Sequence, residues 1–457
     1  MKTIYLEDLS IGSGRYGIGA SAVDYNPNLP TYLRITDIRD DGTLDLSSKK
    51  SVEDPEANNY MLRPGDIVFA RTGNSTGRNY FYDERDGAFA YAGFLIKFSL
   101  DPEKVNPRYV KYYAQSKPYW DWVASFNTGS TRGNINAKTY GKLPILLPER
   151  EKQDAIVLFC DSISDKIRIN SQLNDYLAEL LLALQKQIAE TEELTESRAD
   201  EVFNIHIGKT PPRKEPEWFS FDRDGNVIWM SIKDMGGGDA YLIDSSEYLT
   251  PEAVDKHNIK KCKPGSVLLS FKLTVGRVGI VASEMVTNEA IACFSSDDPR
   301  KLAYLYPLLK SYDYASLGST SSIATAVNSK MIKAMGLKIP SSTVLDAFYE
   351  RAKPIYELLL SNTRELAALN ELRDTLLPKL MSGEIDVSKV DLTQLNNHLY
   401  ESKTGGCRGH PLFRRCKLHG PLWSLEWIYH LSNTGEQLIA HRGSNQIIRF
   451  APDRSSR

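Results

Sequence analysis

The chain repeats itself, and the repeat restricts its fold more than any other feature. Asn136, Lys138 and Pro148 lie ahead of one long helical stretch; Asn328, Lys330 and Pro340 lie ahead of another, each 192 residues later. Upstream, Arg63-Pro64-Gly65-Asp66-Ile67-Val68 is echoed by Lys263-Pro264-Gly265-Ser266-Val267-Leu268 at an offset of 200, and Gly77-Arg78 by Gly276-Arg277 at 199. The drift of a few residues means loop insertions inside a duplicated unit. A chain ordered unit, helix, unit, helix has a pseudo-two-fold axis. It suits a target that is itself bipartite, of which duplex DNA is the commonest.

Hydrophobic periodicity fills in the frame. Residues 1–148 read as a strand-rich mixed unit, with Ile67-Val68-Phe69-Ala70 and Phe94-Leu95-Ile96-Lys97-Phe98 as short strands and Pro64-Gly65 as a tight turn. Asn106-Pro107 opens a short helix. Over 149–200 the period changes: Ile156, Phe159, Ile163, Ile167, Leu173, Leu177, Leu180, Leu184 and Ile188 fall mostly three or four apart, one helical face roughly 45–55 Å long. Residues 201–342 repeat the first unit. Residues 343–385 form the second long helix, with a heptad seam through Leu345, Phe348, Ala352, Ile355, Leu359, Asn362, Leu366 and Leu369, and an end limited by Pro378. The expected class is α+β: two repeated mixed α/β domains joined and separated by two long antiparallel coiled-coil helices. Asn170 and Asn362, again 192 apart, are candidate register-fixing residues on the seam. The alternative is that each helix packs on its own unit.

The net charge of −2 hides an uneven distribution. Residues 149–200 carry 6 Lys and Arg against 12 Asp and Glu, and residues 343–403 carry 7 against 10. The repeated units are near balance, 18 against 17 over 1–148 and 17 against 16 over 201–342, while residues 404–457 carry 8 against 3. A polyanion would therefore be met by local patches on the units and avoided by the helices. The five scattered cysteines fit reduced thiols, the start of the chain has Glu7 and Asp8 where a signal peptide would be apolar, and no run is long enough to span a bilayer. A cytoplasmic protein is expected.

Catalytic constellations are missing from the first 400 residues. Thr210-Pro211-Pro212-Arg213 lacks the Asn or Asp and the aromatic of an adenine methyltransferase loop. Gly208-Lys209-Thr210 resembles the end of a phosphate loop, but Phe203 stands where its first glycine belongs. What is present is groove chemistry at matching places. Arg71-Thr72-Gly73-Asn74-Ser75-Thr76-Gly77-Arg78 follows the Pro-Gly strand in the first unit, and Lys272-Leu273-Thr274-Val275-Gly276-Arg277 in the second. A second pair is the stretch with Thr128, Ser130, Thr131, Arg132 and Asn134, and the stretch with Ser319, Ser321, Ser322 and Thr325. Arg reads guanine bidentately and Asn reads adenine, while hydroxyls and backbone amides hold phosphate.

This pattern resembles the DNA-specificity subunit of type I restriction–modification systems, over residues 1 to about 385. The most specific pieces are Gly208-Lys209-Thr210-Pro211-Pro212-Arg213-Lys214, Trp229-Met230-Ser231-Ile232-Lys233-Asp234, the Pro-Gly turns, and Leu376-Leu377-Pro378-Lys379-Leu380-Met381-Ser382-Gly383-Glu384-Ile385. The first unit departs from it: residues 5–32 lack a Gly-Lys-Thr-Pro-like opening, and Tyr32-Leu33-Arg34-Ile35 replaces the Trp-containing strand. The resemblance implies two target-recognition domains, each reading half of a split, asymmetric site on double-stranded DNA. Lys209, Arg213 and Lys233 join the groove loops as candidate DNA contacts. It also implies two modification methyltransferase subunits and restriction motor–nuclease subunits as partners. S-adenosylmethionine, ATP and magnesium would be theirs; this chain is expected to hold no cofactor or metal and to catalyse nothing.

Two readings stay open beside it. One is a duplicated protein-binding scaffold without a DNA role. The other concerns residues 386–457, expected to be a disordered, accessory or non-native extension. There Cys407, His410, Cys416 and His419 offer zinc-ligand types, in pairs too close together for a roomy site.

Overall fold

The computed structural model describes residues 2–126, 133–317 and 327–385, with strands at Trp427–Leu431, Gln437–His441 and Ile447–Phe450. These three tail strands pair in sequence order as an antiparallel sheet. The chain divides into two compact units. One runs to Asp165 and takes in the stretch from Asn370; the other holds Lys166–Leu369.

The two units contain the same frame. In the first, Ala22–Asp24, Lys50–Val52, Thr31–Leu33 and Phe89–Tyr91 form one sheet in that order, with the last pair parallel. In the second, Phe219–Ser220, Tyr248–Leu249, Val227–Met230 and Val286–Thr287 repeat that order and the parallel last pair. The other sheet is Arg15–Tyr16, Leu95–Ser99, Asp66–Ala70 and Asn79–Phe81 in the first unit. Its counterpart is Asn204–Ile207, Ile291–Ser295, Val267–Ser270 and Val278–Val281, extended by Tyr241–Leu242.

The echoed residues are the ones that local geometry demands. Pro64-Gly65 and Pro264-Gly265 are the central residues of tight turns. Gly65 has φ +88 and Gly265 φ +85, and the turns close through Asp66 N to Arg63 O and Ser266 N to Lys263 O. Asn136 caps the helix Ala137–Gly141 by accepting from Thr139 N, and Asn328 caps Ser329–Ala334 by accepting from Lys330 N and Met331 N. Asn106 and Asp298 likewise cap helices that start with Pro107 and Pro299.

The long helices run Arg150–Thr191 and Ser342–Ser382. The first stops earlier than the expected 149–200, because Leu194–Arg198 is a strand paired antiparallel with Gly336–Pro340. The same arrangement closes the first unit, where Lys2–Tyr5 pairs with Pro144–Leu147. Pro378 does not end the second helix. The end is at Gly383, whose φ of +78 is the left-handed conformation that terminates helices.

Within the second unit the two helices share a core. Leu173, Leu177, Leu181 and Leu184 pack in one cluster with Leu345, Phe348, Ala352, Ile355 and Leu359, and with Leu269, Phe271 and Phe294 of the sheet. Contacts run in opposite directions along the two helices: Asn170 Nδ2 donates to Glu365 Oε2 at 2.7 Å, and Asn174 Nδ2 to Thr363 Oγ1 at 3.3 Å. The helices are therefore antiparallel here, and they also pack on the sheet of their own unit. Asn362 is 7% exposed, and its Nδ2 has no partner among the described residues.

Candidate nucleic-acid interface

In each unit a buried strand ends in a loop closed by the same three backbone bonds. Ala70 N donates to Arg78 O, Gly77 N to Ala70 O, and Arg71 N to Phe94 O. Ser270 N donates to Arg277 O, Gly276 N to Ser270 O, and Phe271 N to Ala290 O. Arg71 therefore stands opposite Phe271, and the second loop is one residue shorter. Both loops turn through a left-handed residue at the same point. In the first it is Gly73, φ +73; in the second it is Leu273, φ +59. Leu273 is 102% exposed. An L-residue there costs about 1–2 kcal/mol, and an apolar side chain fully in water gains nothing in return.

In the first unit the guanidinium of Arg71 lies over the Tyr16 ring at 5.1 Å, and no carboxylate pairs with it among the described residues. Tyr16 and Phe94 are both exposed, so the patch is cationic and aromatic. Thr72 forms a backbone bridge to Asn134, and the Thr76 hydroxyl donates to Gly133 O at 2.9 Å. These contacts bring Gly133 and Asn134, the described end of the second expected stretch, against the first loop. Asn74 is exposed; Ser75 is buried.

In the second unit Lys272, Leu273 and Thr274 are exposed. Glu289 lies beside this loop and accepts from the Thr210 hydroxyl. Burial opposes its charge, but the Thr210 hydroxyl and the Lys272 and Arg213 cations hold its carboxyl below the usual carboxylate range. The result is a mixed-charge edge with an apolar tip. Lys233 is exposed and carries no ion pair among the described residues.

Other expected contacts are engaged by acceptors or rings of the protein itself. Arg78 donates to Asp40 Oδ1 at 2.7 Å and to Ile38 O at 3.2 Å. Arg277 donates to Ile232 O at 2.5 Å. Lys209 Nζ reaches the carbonyls of His257 and Asn258 at 3.2 and 3.1 Å. Arg213 pairs with Glu247 at 2.6 Å and stacks over Phe219 and Trp229 at 4.3 and 4.7 Å. Thr128, Ser130, Thr131, Arg132, Ser319, Ser321, Ser322 and Thr325 lie outside the described residues, as do Cys407, His410, Cys416 and His419.

The Gly208-Lys209 motif is a clasp. A Cβ at Gly208 would lie 2.1 Å from Thr287 O, and the Trp229 indole N–H donates to Lys209 O at 3.2 Å. The first unit has the same clasp in other residues. A Cβ at Gly17 would lie 2.3 Å from the carbonyls of Tyr91 and Ala92, and the Tyr32 hydroxyl donates to Ile18 O at 2.8 Å. The opening glycine missed in the sequence is Gly17, and Tyr32 stands in for the tryptophan. The sequence also gave no notice of Tyr16, Phe94 and Glu289 as neighbours of the loops; only strand register places them there.

A family model described as the type I restriction modification DNA specificity domain matches twice, at residues 24–179 and 191–347. The chain belongs to this family. Both copies of the specificity domain cover a strand frame; the first reaches Glu179 within the helix Arg150–Thr191, and the second takes in only the start of the helix Ser342–Ser382. Among curated relatives, the type I restriction enzyme HindI specificity subunit of Haemophilus influenzae is 21% identical, over 79% of this chain and 96% of the relative. The MjaIX specificity subunit of Methanocaldococcus jannaschii is 22% identical over 64% and 72%. Of solved structures, the type I restriction–modification S subunit of M. genitalium matches with a TM-score of 0.47 and 17% identity, over 83% of this chain and 95% of that one. No helix among the described residues is long and apolar enough to cross a membrane.

Proposed function

We propose that this specificity-domain protein is the non-catalytic DNA-reading subunit of a type I restriction–modification complex, and that it binds a bipartite, asymmetric sequence. The observation that carries this reading is the paired loop. One backbone turn, closed by the same bonds in both units, presents Arg71, Thr72 and Asn74 in one case and Lys272, Leu273 and Thr274 in the other. One frame with two sets of groove-facing residues reads two different half-sites. Arg71 beside Tyr16 suits guanine or a narrow groove, and Asn74 suits adenine. Leu273 offers an apolar contact to a thymine methyl or a base step, and Glu289 accepts from cytosine.

The acidic long helices serve as protein-facing surfaces for two modification methyltransferase subunits, which carry S-adenosylmethionine. Restriction motor–nuclease subunits bring ATP and magnesium. The deciding experiment exposes a random duplex library to the purified complex with its modification subunits and maps the methylated adenines. A split sequence with unlike halves is expected. Binding without preference for any sequence would overturn the reading, and an affinity that does not change with salt would favour a protein scaffold instead.

A further inference from the structure

In the second unit three side chains converge beneath the surface. His206 lies in Asn204–Ile207, and its register partner across the sheet is Cys293. Cys262 precedes the Pro264-Gly265 turn and is held by a backbone bridge to Met285. The imidazole nitrogen and both sulfurs lie within 4.8 Å of one another, with His206 Nε2 at 3.6 Å from Cys262 Sγ. Both cysteines are 0% exposed. The Thr287 hydroxyl, also fully buried, lies beside Cys262.

The first unit shows what this position does. The pairing Val68↔Lys97 corresponds to Leu268↔Cys293, and Asp66 corresponds to Ser266. There Lys97 Nζ meets Asp66 Oδ2 at 3.0 Å, and Asp66 also accepts from the Ser99 hydroxyl. A buried ion pair thus staples the first sheet. The second unit has no such pair and has two sulfurs and an imidazole in its place. Two thiolates, one neutral imidazole and one divalent cation sum to zero, so a bound metal closes the site as neutral as the ion pair does. Soft sulfur with imidazole selects zinc over magnesium or calcium.

We propose that His206, Cys262 and Cys293 bind a structural zinc ion that staples the second recognition unit. An exogenous ligand would fill the fourth position of the tetrahedron. The test uses the full chain with Cys407→Ser and Cys416→Ser, so that the tail cannot contribute, grown with zinc and purified without chelator. About one zinc per chain is expected. Cobalt(II) replacement should give the strong visible bands and sulfur-to-cobalt charge transfer of a tetrahedral thiolate site. Cys293→Ser or Cys262→Ser in that background should lose both signals, while Cys160→Ser should keep them. A metal-free chain with two free thiols, a Cys262–Cys293 disulfide, or cobalt spectra without charge transfer would each overturn the proposal, and none depends on the variants folding.

Discussion

Arg71 has no carboxylate partner among the described residues, whereas Arg277 is spent on the Ile232 carbonyl. Their substitutions should therefore separate. Arg71→Ala is expected to weaken one half-site by about 1–3 kcal/mol with little change in thermal stability. Arg277→Ala removes a charged donor from a backbone acceptor and should cost about 1–3 kcal/mol of folding stability. Thermal unfolding and titration with matched duplexes decide it; equal effects on both observables would show that the two arginines share one role. Leu273 poses the opposite case. Leu273→Gly relieves a left-handed L-residue and should leave stability unchanged or slightly raised. It should also weaken only the second half-site. Unchanged affinity for that half would remove Leu273 from the interface. Neither distinction was legible in the sequence. Arg71 lies two residues before Gly73 and Arg277 directly after Gly276, both in loops, and only the side-chain contacts show which guanidinium is occupied. The clasps teach the same point: Tyr32 and Trp229 share no side-chain chemistry beyond a ring and a donor, yet each latches a carbonyl after an obligatory glycine.

At the scale of elements, periodicity revealed the helices because one apolar face must meet a partner for ten turns or more. It misplaced the first helix end, because Leu194-Thr195-Glu196-Ser197-Arg198 has no apolar signature of a strand; pairing with Gly336–Pro340 makes it one. The seam asparagines looked equivalent and are not. Asn170 reaches Glu365 across the helix pair, while Asn362 leaves a buried N–H₂ group without a partner. Asn362→Leu should thus stabilise the chain by about 1–2 kcal/mol, since an unsatisfied buried donor costs about 1–3 kcal/mol. That is a rise of a few degrees in the midpoint of unfolding. Asn170→Leu should lower it, because Glu365 loses one cross-helix donor and keeps Lys166 at 3.4 Å. A drop for Asn362→Leu would mean that this amide does fix register.

For the whole molecule, a net charge of −2 and acidic helices leave DNA binding to a few cations. Of the candidate cations described, Arg71, Lys233 and Lys272 are free of ion pairs within 4 Å, while Arg78, Arg213, Arg277 and Lys209 are engaged in the fold. Each phosphate contact releases counterions and adds about 0.9 to the slope of log affinity against log salt. The slope for the isolated chain should therefore be shallow, and Lys233→Ala should reduce it by about one while leaving the preferred sequence unchanged. Arg71→Ala and Leu273→Gly sit in separate compact units, so their losses should add within about 0.5 kcal/mol in the double variant. Each should act on its own half of the site. If Lys233→Ala changed which bases are preferred, that lysine would be reading the groove; if the two loop losses failed to add, the halves would be read as one coupled surface.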